Sequence, residues 1–461
     1  MFRENFMKSV LKCLLVLLVL SIPLAAQSKK EREQAKKLQD LADKAFMQKN
    51  YRVAADTYGQ AIAIIANNPF AHYRKGFSHF NLKEYDPAIN EFTIALSQGF
   101  KPLEVYRVRA FIYYDQKNYD AALADIQKGL VLAPRDMLFL KGLGEVYLAK
   151  KDYSAALDAL QKAALLAPND ADLHYNLARI YFAKGDVKAQ GAEADLALAK
   201  GTRFPGESFY LLGDSKQKQR DAAGAIDAYQ KSINSKPDNL LTYRNLAEVF
   251  RSENRFADAI RVSKDGLKSF PNDGYLYTDL SWFYSLDGRP EDAVQAAKAG
   301  IQILPTQYTA YTYLCRAYNE TKAFDLAVSA CNSALRLQPD DGETYYYLGN
   351  ALVQQNKSVD ATRAYTKAVA GLTDYTSKNP SYSDGWYLLG NALFADKQYD
   401  KAIDAYLKSL TLSPKFLKAR VNLGISYTRK KNKAGAMEQY TLLQAADPAL
   451  AARLKAEIDK M

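Results

Sequence analysis

A phrase that ends in proline recurs along the chain and decides how the rest of the sequence is interpreted. Residues 398–414 read QYDKAIDAYLKSLTLSP, and related phrases stand at 118–134 (NYDAALADIQKGLVLAP) and 323–339 (AFDLAVSACNSALRLQP). Each phrase has an aromatic residue, an alanine three residues later, apolar residues at helical spacing and a closing proline. Because the proline ring cannot continue a helical hydrogen-bond ladder, the phrase predicts a helix with a fixed end.

The closing prolines are mostly 34 residues apart, a period that indicates stacked helical repeats. A second apolar stripe precedes each phrase, so each repeat is predicted to be a pair of helices. The chain has 461 residues, of which 48% are hydrophobic and 25% charged. This length exceeds the roughly 250–300 residues of one ordinary core, which favours an elongated array. The prolines are Pro134, Pro168, Pro237, Pro271, Pro305, Pro339, Pro414 and Pro448.

Small residues recur at the eighth position of a repeat and alanine at the twentieth, which predicts that the two helices approach closely there. Larger residues at positions four, seven, eleven and twenty-four would fill the volume around that contact. The residues assigned this structural role are Gly144, Ala156, Pro168, Gly213, Ala225, Gly349, Gly390, Ala402 and Pro414.

The spacing resembles the tetratricopeptide repeat, which WYLLGNALFADKQYDKAIDAYLKSLTLSP at 386–414 matches nearly throughout. The resemblance implies an all-α fold, an α-solenoid in which antiparallel helix pairs form a right-handed superhelix with a C-terminal capping helix. It also implies an inner groove that holds peptides or partner proteins, lined by positions two, five, nine and twelve of each first helix. About twelve repeats follow: 35–68, 69–102, 103–136, 137–170, 171–204, 206–239, 240–273, 274–307, 308–341, 342–375, 383–416 and 417–450.

Departures from the repeat predict how the chain is divided. Repeat five has Gln190 in place of alanine, lacks the closing proline and is followed by one extra residue; GLTDYTSKNPSYSD lengthens a later connection by seven residues. Leu450, Leu454 and Ile458 share one face of the last predicted helix. The predicted divisions are a signal peptide at 1–26, repeats one to five at 27–204, repeats six to ten at 205–375, an inserted loop at 376–382, repeats eleven and twelve at 383–450 and the capping helix at 451–461.

The first 26 residues have the order of a secretory signal: basic residues, an apolar run and then Ala25-Ala26. A membrane anchor is the alternative, but Pro23 interrupts the run, which is shorter than the roughly 20 residues of a bilayer span. No later segment is apolar enough to cross a membrane. We therefore expect an exported protein, periplasmic or secreted, and associated with the envelope if its source is a bacterium; removal of the signal stays open.

Aromatic residues in repeats two and three are the candidate partner site, since large rigid side chains bury area at low entropy cost. An alternative is that the first helix of repeat two is rotated, because His72, Lys75 and His79 occupy its core positions. The aromatic stripe would then lie in the core. The candidate groove residues are Phe70, Tyr73, Phe77, Phe80, Arg107, Phe111 and Tyr114.

The function predicted is a scaffold or adaptor that binds a protein or peptide partner, in envelope assembly or secretion. The alternative is a glycan-binding or glycan-processing factor whose basic and aromatic residues hold an anionic polysaccharide. The carboxylate clamp that cochaperones of the resembled family use is incomplete, because Asn391 and Asn422 match it but Tyr387 replaces its first lysine.

Several classes of site are not expected. The net charge is +11, of which residues 1–26 supply +2, and its lysines and arginines are dispersed, so we expect no nucleic-acid partner. With three histidines and no zinc-type cysteine pairs or phosphate-binding loop, we expect no catalysis, metal or cofactor. Cys315 and Cys331 could form a disulfide, but packing as small apolar residues is favoured. The oligomeric state is left open.

Overall fold

The structure, a computed structural model, describes residues 28–461, which form 25 helices without a β-strand. The predicted signal peptide at 1–26 lies outside the described residues. The helices are α1 Lys29–Met47, α2 Tyr51–Ile64, α3 Pro69–Asn81, α4 Tyr85–Ser97, α5 Pro102–Asp115, α6 Tyr119–Leu132, α7 Met137–Ala149, α8 Tyr153–Leu166, α9 Ala171–Lys184, α10 Val187–Ala199, α11 Pro205–Lys218, α12 Ala222–Ser235, α13 Leu240–Ser252, α14 Phe256–Ser269, α15 Gly274–Leu286, α16 Pro290–Ile303, α17 Tyr308–Glu320, α18 Phe324–Leu337, α19 Gly342–Gln354, α20 Ser358–Lys378, α21 Ser383–Ala395, α22 Tyr399–Leu412, α23 Leu417–Arg429, α24 Lys433–Ala446 and α25 Pro448–Ile458.

The first 24 helices form twelve pairs, one for each predicted repeat, and α25 packs against the last pair. Ala451, Leu454 and Ile458 of α25 are buried against α23 and α24. The prediction of an all-α array of helix pairs with a capping helix is therefore confirmed. The described residues divide into two compact bodies, an N-terminal body that ends at Arg203 and a C-terminal body that begins at Phe204.

The turn inside every pair contains one residue in the left-handed conformation, always at position fifteen. In ten repeats this residue is not glycine and has φ of 58–63°. Repeats five and eight place Gly185 and Gly288 there, with φ of 75° and 74°. The ten others are Lys49, Lys83, Lys117, Lys151, Arg220, Asn254, Lys322, Asn356, Lys397 and Lys431. The sequence concealed this turn because lysine is not a residue that signals a left-handed conformation.

The predicted close contact inside each pair is present, but its partner differs from the expected one. A Cβ atom added to Gly390 would lie 2.5 Å from the Tyr406 ring, and one on Gly213 would lie 2.6 Å from the Tyr229 ring. The glycine at position eight therefore faces the residue at position twenty-four most closely, rather than the alanine at position twenty. The same relation joins Gly144 to Leu160 and Gly349 to Tyr365, while Ala156, Ala225 and Ala402 are fully buried.

The prolines lie where one repeat meets the next. Helices α8 and α22 end two residues before Pro168 and Pro414, respectively. The carbonyl at this point accepts a hydrogen bond from position four of the following repeat: Arg420 Nη2 lies 3.2 Å from the Pro414 oxygen, and Trp386 Nε1 lies 3.0 Å from the Pro380 oxygen. Position four thus ties adjacent repeats together in addition to filling core volume.

Two predicted boundaries were wrong. Residues 376–378 are not loop, because α20 continues to Lys378 and only residues 379–382 connect it to α21. Seven residues are about two helical turns, so the insertion extends the helix without rotating its buried face. The capping helix begins at Pro448 rather than at residue 451, because proline fits the first turn of a helix as well as the end of the preceding one.

The favoured interpretation of the two cysteines was also wrong. Cys315 in α17 and Cys331 in α18 form a disulfide, with their Cα atoms 5.2 Å apart. They occupy positions eight and twenty-four of repeat nine, the positions that are in closest contact in other repeats. Both side chains are fully buried.

Candidate functional site

The aromatic stripe predicted in repeats two and three is mostly used for packing within the N-terminal body. Tyr73 and Phe77 lie edge-on to the buried Phe92 ring, at centroid distances of 5.7 Å and 5.3 Å. Phe80 packs against the same cluster. Only Phe70 and Phe111 of the stripe are exposed, by 36% and 54%.

Carboxylates explain how polar residues fit at the core positions of α3. His72 Nδ1 lies 2.6 Å from Glu91 Oε2, and Lys75 Nζ lies 2.7 Å from Glu91 Oε1. His79 Nδ1 lies 2.7 Å from Glu84 Oε2. Since these partners are on α4 or at its start, α3 keeps the ordinary register and is not rotated.

The remaining candidates, Arg107 and Tyr114, are also engaged within the protein. Arg107 Nη2 lies 2.8 Å from Asp136 Oδ2. Tyr114 packs beside Tyr119 with ring centroids 5.9 Å apart. Partner binding at this stripe stays a prediction, with Phe70 and Phe111 as its accessible members.

A larger concave site lies in the C-terminal body. It is a cavity of about 780 Å³, lined mainly by the first helices of repeats seven to eleven. Its lining residues include the predicted groove positions two, five, nine and twelve, but in different repeats from those chosen. Examples at these positions are Arg251, Trp282, Arg316, Asn319, Glu343, Tyr346, Asn350, Asp384, Tyr387 and Asn391.

Stacked side chains form one wall of the cavity across three successive repeats. The Arg251 guanidinium lies 4.7 Å from the centroid of the Trp282 ring. The Trp282 ring stacks on Tyr313 at a centroid distance of 5.8 Å and an angle of 18°. Delocalised charge over an aromatic face is favourable, so these contacts stabilise the wall.

The arginines that line the cavity already have carboxylate partners. Arg251 lies 2.6 Å from Glu248 and 2.9 Å from Asp384, and Arg316 lies 3.0 Å from Glu320. Such pairs offset the cost of shielding a charge from water.

Glu343, like the neighbouring Asp341, is a carboxylate of the lining without a basic partner among the described residues. Among residues 28–461 no cation lies within ion-pair distance of it, and its hydrogen bond comes from the Tyr347 hydroxyl at 3.2 Å. Burial and the neighbouring Asp341 raise the pKa of Glu343 to about 7, against a smaller opposing effect of Arg316.

Three contacts join repeat seven, at one end of the cavity lining, to repeats eleven and twelve at the other end, and we refer to them together as the clasp. Arg251 pairs with Asp384, and Lys415 Nζ lies 3.2 Å from Glu253 Oε2. Lys418 Nζ lies 5.8 Å from the centroid of the Phe256 ring. The clasp therefore connects repeat seven with repeats eleven and twelve through side chains.

The two asparagines that match part of the carboxylate clamp bond to each other. Asn422 Nδ2 and the Tyr406 hydroxyl both donate to Asn391 Oδ1, each at 2.8 Å. Their amides are thus engaged in holding α21, α22 and α23 together.

The described part of the chain contains neither a metal-ligand cluster nor a membrane-spanning helix. In residues 28–461, no group of three histidine, cysteine, aspartate or glutamate side chains is arranged to hold a metal ion. Within the same range, every helix is too short or too polar to span a bilayer.

Comparisons with known structures give low similarities. One chain of the crystal structure of the APC/C hetero-tetramer Cut9-Hcn1 is 16% identical, with 92% of this chain and 96% of that chain covered and a TM-score of 0.39. Yeast Tom70 is 15% identical, with 93% and 96% covered and a TM-score of 0.38. MamA is 22% identical over 38% of this chain and 94% of its own, with a TM-score of 0.33. TM-scores below 0.5 support no further conclusion.

Family models give the assignment. No curated protein matches the chain. Models described as tetratricopeptide repeat match residues 210–274 and 383–416, and one described as TPR repeat matches residues 144–185. Together with the twelve helix pairs in one register, these matches show that the chain belongs to the tetratricopeptide-repeat proteins, a generally non-enzymatic scaffold family whose fold is typical of protein–protein interaction.

Proposed function

We propose that the protein is an exported scaffold that binds a segment of a protein partner in the cavity of its C-terminal body. The observation that carries this proposal is the cavity itself, about 780 Å³ in volume and lined at the groove positions of consecutive repeats. Cavities of roughly 300–1,000 Å³ hold ligands the size of a few amino-acid residues.

The chemistry of the lining favours a peptide. Tyr346, Tyr387 and Trp282 offer large, rigid surfaces with polar edges, which are frequent at sites where proteins bind each other. Asn350 adds an amide group that can bond to a peptide backbone.

The charge of the lining argues against the alternative, an anionic polysaccharide. Six carboxylates and four basic side chains line the cavity, and Arg251 and Arg316 are already paired. A polyanion would meet unfavourable charges here.

The disulfide supports the exported location. Disulfides persist in oxidising compartments and are rare where thiols are kept reduced. The bond between Cys315 and Cys331 therefore agrees with the signal-like order of residues 1–26. Cell fractionation with N-terminal sequencing of the mature protein tests this part of the proposal: recovery with the cytosol and an intact N-terminus would contradict it.

Binding is tested by capture of partners from a crosslinked envelope extract with purified residues 27–461, followed by reconstitution with the identified partner. The Tyr346→Ala/Tyr387→Ala variant removes cavity surface, and the Phe70→Ala/Phe111→Ala variant removes the exposed aromatics of the N-terminal body. We expect the first variant to lose the partner and the second to retain it. The reverse result would place the binding site in repeats two and three.

A further inference from the structure

We infer that the cavity recognises a basic side chain, an arginine or a lysine, of the bound peptide at a subsite formed by Asn319, Glu343 and Asp384. This inference rests on the proposed function and specifies the chemistry of the ligand. It follows from the hydrogen-bond acceptors, the charges and the aromatic rings that the lining presents.

Buried acceptors without donors are the first observation. Asn319 Oδ1 and Asp384 Oδ2 are both inaccessible to solvent and accept no hydrogen bond. Asp384 is only 8% exposed, and the Arg251 nitrogen that lies 2.9 Å from Oδ2 forms an ion pair without hydrogen-bond alignment. Because buried polar atoms are normally hydrogen-bonded, Asn319 Oδ1 indicates a donor that is supplied from outside the chain, while Asp384 Oδ2 can accept a hydrogen bond in addition to its ion pair with Arg251.

The orientation of Asn319 is fixed by its neighbours. Its Nδ2 donates to the backbone carbonyls of Cys315 and Tyr347, each at 3.1 Å. A carbonyl can only accept, so the nitrogen must point to these groups and the oxygen must be the open atom. The open Asn319 Oδ1 and the ion-paired Asp384 Oδ2 are therefore both acceptors.

The charges that line the cavity also favour a cationic group on the ligand. Arg251 and Arg316 are neutralised by carboxylates, and Lys378 pairs with Asp374 at 2.7 Å. Lys418, the fourth basic residue of the lining, has no ion pair among the described residues and lies over the Phe256 ring, but the lining has six carboxylates against four basic side chains. Glu343 lacks such a partner among the described residues. A cationic side chain would supply the missing charge, and its several N–H groups match several acceptors at once.

Aromatic rings complete the subsite. Tyr347 is bonded to Glu343, and Tyr313 and Trp282 continue the lining beside it. The faces of such rings attract cations, and most strongly where water is displaced. Arginine is expected to bind better than lysine, because a guanidinium is weakly hydrated and stacks on rings.

The experiment uses Trp282 as the reporter. The chain has two tryptophans, and Trp386 is not in the cavity lining, so the Trp386→Phe protein reports fluorescence from the cavity alone. The probes are three acetylated, amidated alanine pentapeptides with arginine, citrulline or glutamate at the centre. Citrulline keeps the shape of arginine and removes its charge.

We expect the arginine peptide to change Trp282 fluorescence saturably and to bind at least about tenfold more tightly than the citrulline peptide. Glu343→Gln should weaken binding of the arginine peptide by about tenfold. Asp227→Asn on α12, which removes an exposed carboxylate paired with Lys231 at 2.8 Å, is the matched control and should change nothing.

Equal binding of the arginine and citrulline peptides, preference for glutamate, or no saturable binding of the arginine peptide at millimolar concentration would each overturn the inference. The comparison of peptides on the unsubstituted cavity needs no variant at the subsite, so it stands even if Glu343→Gln alters folding. The two proposals can be distinguished: an identified partner that still requires Tyr346 and Tyr387 but binds Glu343→Gln normally would leave the proposed function intact and overturn this inference.

Discussion

Glu343 couples folding to pH, because its carboxyl group holds a proton more tightly in the folded chain than in the unfolded chain. Burial and Asp341 raise its pKa to about 7, while Arg316, Tyr347 and Asp384 act on the same group with mixed signs. Between the unfolded pKa of about 4.3 and the folded value, the folded state keeps a proton that the unfolded state has released. The contribution of Glu343 to stability therefore falls as the pH rises through this range.

We predict that Glu343→Gln raises the free energy of unfolding by roughly 1–3 kcal/mol at pH 8, because glutamine removes the penalty of charging a shielded carboxyl. At pH 4 the two proteins should be nearly equally stable, since Glu343 is then protonated in both states. Urea unfolding at both pH values measures the difference. An equal effect at pH 4 and pH 8 would show that Glu343 does not titrate in this range.

The left-handed residue in each turn gives a second prediction at this scale. Lys151→Gly should stabilise the protein by about 0.5–1 kcal/mol, because glycine adopts positive φ without steric cost. Gly185→Lys, at the same position of the next repeat, should destabilise it by about 1–2 kcal/mol. Thermal unfolding of both variants measures this pair, and effects of the same sign would contradict the strain argument.

The disulfide depends on a contact between positions eight and twenty-four that could not be predicted from the sequence pattern. A tight contact inside each repeat could be predicted from the small residues, but not that position eight meets position twenty-four. Once that contact is known from Gly213 with Tyr229, two cysteines at those positions in repeat nine are expected to meet. The missing information was the pairing of side chains across the two helices, which composition and period do not contain.

At the scale of one helix, α7 offers a matched test of close packing. A Cβ atom on Gly144 would overlap the Leu160 side chain, whereas one on Gly142 would lie 3.6 Å from the Ile126 side chain, an ordinary contact. We expect Gly144→Ala to destabilise the protein by about 1–3 kcal/mol. Gly142→Ala should be neutral or stabilising by up to about 1 kcal/mol, since alanine favours the helix.

Chemical unfolding of the two variants separates these outcomes. Equal stability would mean that α7 and α8 can move apart at no cost, and the role given to small residues at position eight would then be wrong.

The presence of the helices could be predicted along the chain, because the spacing of apolar residues and the closing prolines are local signals in the sequence. The end of α20 was predicted incorrectly although the same signal was present: the helix ends at Lys378, two residues before Pro380. The distance from helix end to proline is the same as in α8 and α22. A shifted proline therefore extends the second helix of a repeat, and an insertion need not form a loop.

At the scale of the whole chain, the positions that line the cavity were predictable, whereas the repeats in which the cavity lies were not. Phe77 and Phe80 are of a residue type that is frequent at binding surfaces, but they pack around Phe92 in the N-terminal body. The cavity arises in the C-terminal body because side chains far apart in sequence, such as Arg251 and Asp384, meet there. A repeat pattern describes each pair of helices and its neighbours, so it does not reveal contacts between distant repeats.

The clasp leads to a prediction about rates. Glu253→Lys places two like charges where Glu253 and Lys415 now pair, so the clasp should open more often. We expect the bound partner to dissociate several-fold faster from this variant, and the Glu253→Lys/Lys415→Glu protein to return to the original rate because the charges are only exchanged. Stopped-flow measurements give the dissociation rate of the partner from the original protein and from both variants. An unchanged rate for Glu253→Lys would contradict a role for this pair.

The clasp closes repeats seven to eleven of the C-terminal body into a ring around the cavity. Entry into a ring distinguishes molecules by topology: a peptide with a free end can thread through it, whereas a loop inside a folded partner must wait until the ring opens. Arg251, Glu253 and Lys415 would then favour partners with a free chain end, because other partners associate only when the clasp opens. A peptide joined head to tail should therefore associate far more slowly than the same peptide left linear.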